Sequence, residues 1–583
     1  VNPVADAEAL LEGLDPAQRR AATALRGPVV ILAGAGTGKT RTITRRIAYG
    51  VATGAFTPSR TLALTFTTRA AGELRARLRQ LGAGEVPART FHSAALSQLA
   101  HFWPQVVGGT APRVLEGKAR LLGEAADAVG IRADQATLRA LAGEVEWRKV
   151  SCLSFEEYAA AGRPAPPGLD VAAVVALQRA YEDRKDELRR MDFEDVLLAT
   201  AGMLETERGV ASAVREQLRA ITVDEVQDLS PLQERLLRLW LGSRRELCVV
   251  GDANQTIYGF AGASASFLLG FAREHQDAEV VTLAVSHRST APVLDLANRL
   301  MRGRPGAIEL VPAAPDADAA ASPAPVPTVA GFDDDRGELA AAVAAVRADL
   351  AAGIPAGEVA VLVRTNAQVP AVETALRAAG IPVSVRGDAG FFELPLVREA
   401  IVHLLAAKRA TMDGDPLTAT VRGVLSSLGW TPVPAQRPAS SRDSSPGSAG
   451  STAAAAAPAP DPRERWRPLD ALVRLAEDAG DETSLAEFLD ELLERQASLD
   501  APVADAVSIA TMHAAKGLEW TSVHILGVAE GLVPLVHATT PEQLDEERRL
   551  LYVAVTRAKR RLRLSWAARP PSRFIAQARA AGR

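Results

Sequence analysis

The sequence holds 583 residues, 48% of them hydrophobic, which is material for several cores at about 100–200 residues per domain. Its 66 basic and 70 acidic side chains leave a net charge of −4, which excludes polyanion binding through bulk charge and confines any such site to a local groove. Cys152 and Cys248 lie far apart without metal-ligand spacing, so they read as reduced core residues and no zinc site is expected. The opening VNPVADAEALLEGL has no basic stretch ahead of an apolar core, and no run of about 18 apolar residues comes after it. The expectation is a cytoplasmic protein with no membrane partner.

Early in the chain, Asp15 is positioned to cap a helix that Pro16 opens, which sets the Gln18 amide at the entrance to the stretch Val29 to Thr40, VVILAGAGTGKT. Val29 to Leu32 predict a buried strand, Ala33, Gly34, Ala35, Gly36, Thr37 and Gly38 a tight loop, and Lys39 onward a helix. This is the order of a phosphate-binding loop. Glycines let backbone N–H groups turn inward around phosphate oxygens, the Lys39 ammonium reaches the β and γ phosphates, and the Thr40 hydroxyl ligates Mg²⁺.

Thr61 to Thr65 predict a second strand that runs into Phe66, Thr67, Thr68 and Arg69 and a basic amphipathic helix. An aromatic, hydroxyls and a cation at a strand's C-terminal end suit a stacked base and phosphates. Thr90-Phe91-His92-Ser93 repeats that arrangement more weakly. From Leu96 to Met191 helical periodicity predicts an all-helical insertion. The α/β pattern resumes with Ala220 to Val223, a strand ending in Asp224 and Glu225. Adjacent carboxylates there are costly unless a cation or a reaction uses them, so Asp224 is assigned to Mg²⁺ and Glu225 to the attacking water as general base. Strand Leu247 to Val250 leads to Gln255, placed to sense a γ-phosphate, and to Tyr258 and Phe260, whose faces suit bases. Val280 to Leu283 leads to Arg288, a cation for transition-state charge.

Residues 311–328, rich in Pro and Ala, read as a loop without fixed structure, and 434–462, rich in Pro, Ser and Ala, as disordered. Around them a second α/β unit is predicted, with strands Val359 to Val363, Val507 to Met512, Val523 to Val528 and Arg561 to Trp566. Residues near 397–503 are patterned as helix. EERRLLYVAVTRAK at 546–559 offers Arg557 as a second candidate arginine finger.

In order, AGAGTGKT, TFTTRAA, TFHS, VDEVQD, GDANQTIY, SHRS, HAAKGLEW and EERRLLYVAVTRAK resemble the motifs of the UvrD/Rep/PcrA family of superfamily 1A DNA helicases, most of all its second, shorter UvrD-type branch in actinobacteria. The resemblance covers nearly the whole chain. It implies an α/β fold of two RecA-like parallel-sheet domains, each with a mainly helical insertion: 1A at 1–97 and 192–280, 1B at 98–191, 2A at 281–396 and 504–583, and a short 2B at 397–503. The implied cofactors are ATP and Mg²⁺. Carried over residue by residue, the pattern puts Gln18 and Arg41 at the adenine end, with His287 against the base, and Glu519, beside Gly517, near the ribose. Gln255, Arg288 and Arg557 would contact the γ-phosphate. Single-stranded DNA is expected on Phe66, Thr67, Arg69, Thr90, His92, Tyr258, Phe260, Arg364 and His513. The implied activity is 3′ to 5′ translocation and helicase action in repair or replication, on single-stranded and 3′-tailed duplex DNA, with room for a repair-protein partner.

Three departures qualify the resemblance. His287 stands where the family usually has Tyr, and Ala261 where it usually has Arg. Residues 567–572 run straight on to Arg573 and Phe574, with no room for the family's strand-separating hairpin. Two other readings compete with a helicase. One is an ATP-switched DNA-binding or protein-displacing factor; the other is the motor subunit of a helicase-nuclease, although no nuclease-like carboxylate-Lys constellation comes after Arg557.

Overall fold

The computed structural model describes residues 7–115, 117–313, 324–386, 395–407, 416–428, 430, 462–480, 483–497 and 506–580. The chain divides into two compact units, Val1–Asp335 with Ala515–Arg583, and Arg336–Ala514.

The first unit opens with α1 (Pro16–Thr23), where the Asp15 side chain accepts the Gln18 N–H, the cap the sequence predicts, and the Gln18 side chain in return accepts the Asp15 N–H. Strand β1 (Val29–Ala33), α2 (Lys39–Ala52), β2 (Thr61–Thr65), α3 (Thr68–Gln80), β3 (Ala88–Thr90) and α4 (Phe91–Val106) succeed it. A helical stretch comes next, with α5 (Ala119–Ala128), α6 (Gln135–Val150), α7 (Val171–Glu187) and α8 (Phe193–Thr206). Then come β4 (Ala220–Val223), α9 (Pro231–Leu241), β5 (Leu247–Gly251), β6 (Glu279–Leu283) and α10 (Ala291–Met301). The six strands make one parallel sheet in the order β3-β2-β4-β5-β1-β6. The near-continuous apolar runs of the inner strands β1, β2, β4 and β5 reflect burial on both faces, while the edge strand β6 alternates between buried and exposed residues. Val30 packs with Leu62, Val223, Val249 and Trp240, while its neighbours Val29 and Ile31 pack with Ile43, Ile47 and Val250 in a separate cluster. Because the strands are parallel, β1, β2, β4 and β5 all end at the same edge, and each ends in one of the candidate motifs.

The helical stretch has its own core of Leu121, Leu141, Val145, Leu177 and Tyr181. Its one described departure from pure helix is a two-residue parallel pair, Arg113–Val114 with Arg190–Met191. At its base the ammonium groups of Lys149 and Lys185, both buried, meet Glu182, Asp192 and Asp195. These three carboxylates lie close enough to one another to hold a metal ion, but the two ammonium groups already occupy them. Cys248 is buried as expected, whereas Cys152, at φ +57° in the turn that ends α6, is half-buried and packs against the edge of the core. Within the Pro/Ala-rich tract, Val311–Pro312 pair in parallel with Val285–Ser286, so that end has fixed structure; 314–323 lie outside the described residues. Strand β7 (Thr328–Phe332) closes this part.

The second unit carries β8 (Val359–Val363), α11 (Val369–Ala378) and β9 (Val383–Val385), then α12 (Pro395–Ala407), α13 (Leu417–Ser427), α14 (Pro462–Ala479) and α15 (Leu485–Ala497), and ends in β10 (Val507–Thr511). Both β8 and β9 pair in parallel with β10. The four later helices share a core that includes Leu404, Val421, Leu472 and Leu489. Of the tract expected to be disordered, 434–461 lie outside the described residues, and Pro462 begins α14.

The chain returns to the first unit with β11 (Trp520–Ile525), α16 (Pro541–Val555), β12 (Ala558–Ala567) and α17 (Arg573–Ala580). Strand β12 pairs in parallel with both β7 and β11, so it runs longer than Arg561 to Trp566. Its first residues Lys559 and Arg560 are charged and hide its start from an apolar pattern. Strand β11 likewise starts earlier and ends earlier than Val523 to Val528, since pairing begins where the Trp520 N–H reaches Arg557 O. Among the described residues no helix is long and apolar enough to cross a membrane.

Candidate nucleotide and single-strand site

The loop between β1 and α2 is shaped by contacts that only glycine tolerates. A Cβ on Gly36 (φ +74°) would stand 2.6 Å from Arg288 Cβ and Ser286 Oγ, and one on Gly38 (φ +77°) 2.7 Å from Gln18 Nε2. Gln18 is fully buried and donates from Nε2 to Thr37 O at 2.9 Å, so it braces the loop from the side expected to meet adenine. His287 joins it there: the His287 N–H reaches Gly36 O at 2.9 Å, and His287 Nε2 lies 3.4 Å from both Gln18 Nε2 and Asp15 Oδ2. Arg41 Nη2 donates to Gly13 O at 2.9 Å, which turns it towards the segment ahead of α1.

Beyond the loop, charges converge on the sheet edge. Lys39 Nζ lies 3.5 Å from Glu225 Oε2. Burial, which alone would lower the Lys39 pKa, is outweighed by Glu225, Asp252 and Asp224, so the net shift is upward and the ammonium is held. Asp224, at the end of β4, accepts the Glu225 N–H at 2.9 Å, and Glu225 sits at φ +51°, a strained turn that aims the second carboxylate away from the first. Burial beside Glu225 pushes Asp224 up, while Lys39 and Lys516 overcome the burial of Glu225 and pull it down. The two carboxylates thus titrate as a pair that carries one negative charge more readily than two. The Gln255 side chain donates from Nε2 to Asp252 Oδ2 at 2.8 Å. Arg557, only 2% exposed, is fixed by Val553 O at 2.9 Å and Leu518 O at 3.2 Å, with Nη2 3.5 Å from Gln255 Oε1. Burial and the nearby Arg288 lower its pKa to about 9, the electrostatic signature of a cation placed to receive an anion. Arg288 Nε lies 2.6 Å from Glu519 Oε2, and Lys559 Nζ lies 3.5 Å from the other Glu519 oxygen. Glu519, expected near the ribose, is therefore placed as the counter-ion of Arg288, shortly after the turn at Gly517, φ +82°.

The aromatic candidates gather beside this network. Phe66 and Tyr258 stack with centroids 5.9 Å apart and planes 12° apart, and Phe260 meets Tyr258 edge-on at 6.2 Å. Phe66 is 38% and Phe260 59% exposed, unusual for rings unless something covers them. Thr67 and Thr90 cap α3 and α4 by accepting the N–H groups of Ala70 and Ser93. Arg69 pairs with Glu73 along α3. The His92 ring packs edge-on against Phe193, and burial lowers its pKa to about 4, so it is neutral near pH 7. Arg364 and His513 belong to the second unit, each just past the C-terminal end of one of the paired strands β8 and β10.

Three residues of the network do not stand out in the sequence. Lys516 Nζ binds Asp228 Oδ2, donates to Gln255 O at 2.7 Å and lies 4.8 Å from the Tyr258 ring centroid. Tyr552, fully buried against Asp252, closes the far side. Phe193, half exposed beside His92, extends the row of aromatic faces. Lys516 lies inside HAAKGLEW and Tyr552 inside EERRLLYVAVTRAK, so position within a motif is the available signal; which side chain points inward is not given by it.

A parallel-sheet phosphate loop, a carboxylate pair at a strand end, one member buried and one half-buried, and two arginines converging on it define a motor ATPase of the helicase type. Residues 14–276 match the model of the UvrD/REP helicase N-terminal domain, and 281–413 with 436–569 that of the UvrD-like helicase C-terminal domain. The chain is 42% identical to the ATP-dependent DNA helicase UvrD2 of Mycobacterium tuberculosis, over 97% of this chain and 81% of that one. It is 29% identical to UvrD1 of the same organism, over 98% and 85%, and 28% identical to PcrA of Leuconostoc citreum, over the same shares. The chain belongs to the UvrD/REP family of superfamily 1A DNA helicases. Its parallel-strand sheets fit the two RecA-like domains of that family.

Proposed function

We propose that this helicase is a 3′ to 5′ single-stranded DNA translocase that unwinds 3′-tailed duplexes in repair or replication, driven by ATP-dependent closure between 1A and 2A. In this reading 1–97 and 192–280 form 1A, 98–191 form 1B, 281–396 and 504–583 form 2A, and 397–503 form 2B. The observation that carries it is the Arg557 guanidinium, buried with no carboxylate bonded to it among the described residues and within reach of Gln255, beside Lys39 and Glu225. A buried cation held by neutral oxygens and without a bonded counter-ion favours an incoming anion. The γ-phosphate of ATP is that anion, with Lys39, Gln255, Arg288 and Arg557 around it and Glu225 taking the proton of the attacking water. The paired titration of Asp224 and Glu225 fits a divalent cation on this side, and Thr40 and Asp224 would hold Mg²⁺, which supplies charge neutralisation to the phosphates. Phe66, Tyr258 and Phe260 would take successive bases, with Thr67, Arg69, Thr90 and His92 on the backbone, and Arg364 and His513 of the second unit would also contact DNA. The Thr67 and Thr90 hydroxyls use a lone pair as caps and keep a proton to donate to phosphate.

ATPase rate with and without single-stranded DNA, measured beside unwinding of 3′-tailed and 5′-tailed duplexes on one preparation, tests this reading. The expected result is strong stimulation and unwinding of the 3′-tailed substrate. Stimulation without unwinding of either would favour a protein-displacing translocase, which the direct passage from β12 to α17 through 568–572 supports.

A further inference from the structure

Helix α16 touches the segment Asp252–Phe260 at regular intervals along one face. Tyr552 OH lies 3.4 Å from Asp252 Oδ2, Arg549 Nε donates to Thr256 O at 2.8 Å, and Glu546 Oε1 accepts the Gly259 N–H at 2.9 Å. Positions 546, 549 and 552 are three apart, so they line one stripe of the helix. The helix ends at Val555, and Arg557 lies in the turn directly after it, tied back to the helix by its bond to Val553 O. Glu546 is the outermost of the three and the one beside the exposed aromatics. Its carboxylate also receives the Phe260 N–H, so it caps the short turn Gly259–Ala261 that carries Phe260. The fit is tight: a Cβ on Gly259 would stand 2.6 Å from Glu546 Oε2. An anion next to a surface meant for polyphosphate is repulsive unless it does something else, and burial indeed pushes its pKa up against those two N–H groups.

We propose that Glu546 is a positioning residue that couples single-stranded DNA to the nucleotide site, by fixing the turn that carries Tyr258 and Phe260 to the helix that carries Tyr552 and leads into the turn at Arg557. This rests on the proposed function, in which Tyr258 and Phe260 hold bases and Arg557 meets the γ-phosphate. A base that stacks on Phe260 moves the turn. With the Glu546 clamp in place, the movement is passed to α16 and thence to Arg557; without it, the turn shifts alone.

The test is the ratio of the ATPase rate at saturating oligothymidylate to the DNA-free rate, in the full chain. Glu546→Ala is expected to lower that ratio about fivefold or more, the lower end of the coupling usual between two sites, with the DNA-free rate within about twofold of the unaltered protein. Glu546→Gln keeps an oxygen for both N–H groups and is expected to retain most of the ratio. Gly259→Ala, whose methyl group collides with the carboxylate, is expected to lower the ratio as Glu546→Ala does, and adding Glu546→Ala to it should cost little more. A ratio unchanged in Glu546→Ala, or one that falls only in step with the DNA-free rate, overturns the proposal. If Glu546→Ala fails to fold, the Gly259→Ala ratio decides alone. Absence of stimulation in the unaltered protein would instead sink the single-strand reading itself, which keeps the two failures apart.

Discussion

Glu225 and Phe260 are the residues at which nucleotide chemistry and strand binding can be separated. Glu225 is held ionised by Lys39 and Lys516 in a turn at φ +51°. Replacing it by Gln keeps the shape and removes the base, so Glu225→Gln is expected to bind ATP and DNA while turnover falls by about 10²–10⁴. Filter binding of labelled ATP beside a turnover assay checks this, and near-normal turnover would move the base elsewhere. Phe260, 59% exposed, is expected to contribute one stacked base. Phe260→Ala should therefore weaken single-strand affinity by about 1–3 kcal/mol, read by fluorescence anisotropy, with the ATP affinity unmoved. Residue types at strand ends make Lys39, Asp224, Glu225 and Gln255 legible from sequence, because few other uses exist for such groups there. Lys516 and Glu546 are not legible in the same way. Both are charged residues inside helical or turn sequence, and only the three-dimensional structure separates a charge that reaches Asp228 or the Gly259 N–H from one that faces solvent.

The inner strands of the first sheet, β1, β2, β4 and β5, follow from the sequence almost without correction, since both of their faces are buried and apolar runs mark them directly. Outside that sheet, the start of β12 is hidden by Lys559 and Arg560, which its pairing with β11 from Ala558 onward draws into the strand. The helical stretch is legible as helix, but its attachment is not. Asp192 caps α8 and receives Lys149 at 2.8 Å with Lys185 at 3.3 Å, all buried, so the passage from α7 to α8 is held by charge. Removing one partner of such a cluster leaves the others uncompensated. Lys149→Met is accordingly expected to destabilise the protein by about 3–5 kcal/mol, whereas Lys149→Met with Asp192→Leu should lose less than either change summed. Denaturant unfolding followed by tryptophan fluorescence reads this, since Trp147 and Trp240 lie in and beside the helical stretch. A loss below about 1 kcal/mol would show that water reaches the cluster and screens it.

At the scale of the whole molecule the open point is how a duplex would be split. Residues 568–572 connect β12 to α17 directly, with Ala568 at φ +55° and Pro570 and Pro571 after it, so no hairpin projects between those two elements. Without such a pin, a translocase can still unwind by stepping into base pairs that open thermally. Each step then waits for fraying, and its rate falls with the stability of the next pair. Stacking free energies run from about 0.6 to about 2.2 kcal/mol per base-pair step, a spread of roughly 1.6 kcal/mol between the weakest and strongest. At tenfold per about 1.4 kcal/mol, unwinding through GC-rich duplex is expected to be roughly tenfold slower than through AT-rich duplex. Movement on single strands should not share that dependence. Streptavidin should be displaced from a 5′-biotinylated single strand faster than from a 3′-biotinylated one, at a rate insensitive to base composition. Comparing the two substrates on one preparation separates the motor from the splitting step. Equal unwinding rates on AT-rich and GC-rich duplexes would mean that another part of the chain melts the pairs actively, and faster displacement from the 3′ end would reverse the proposed direction.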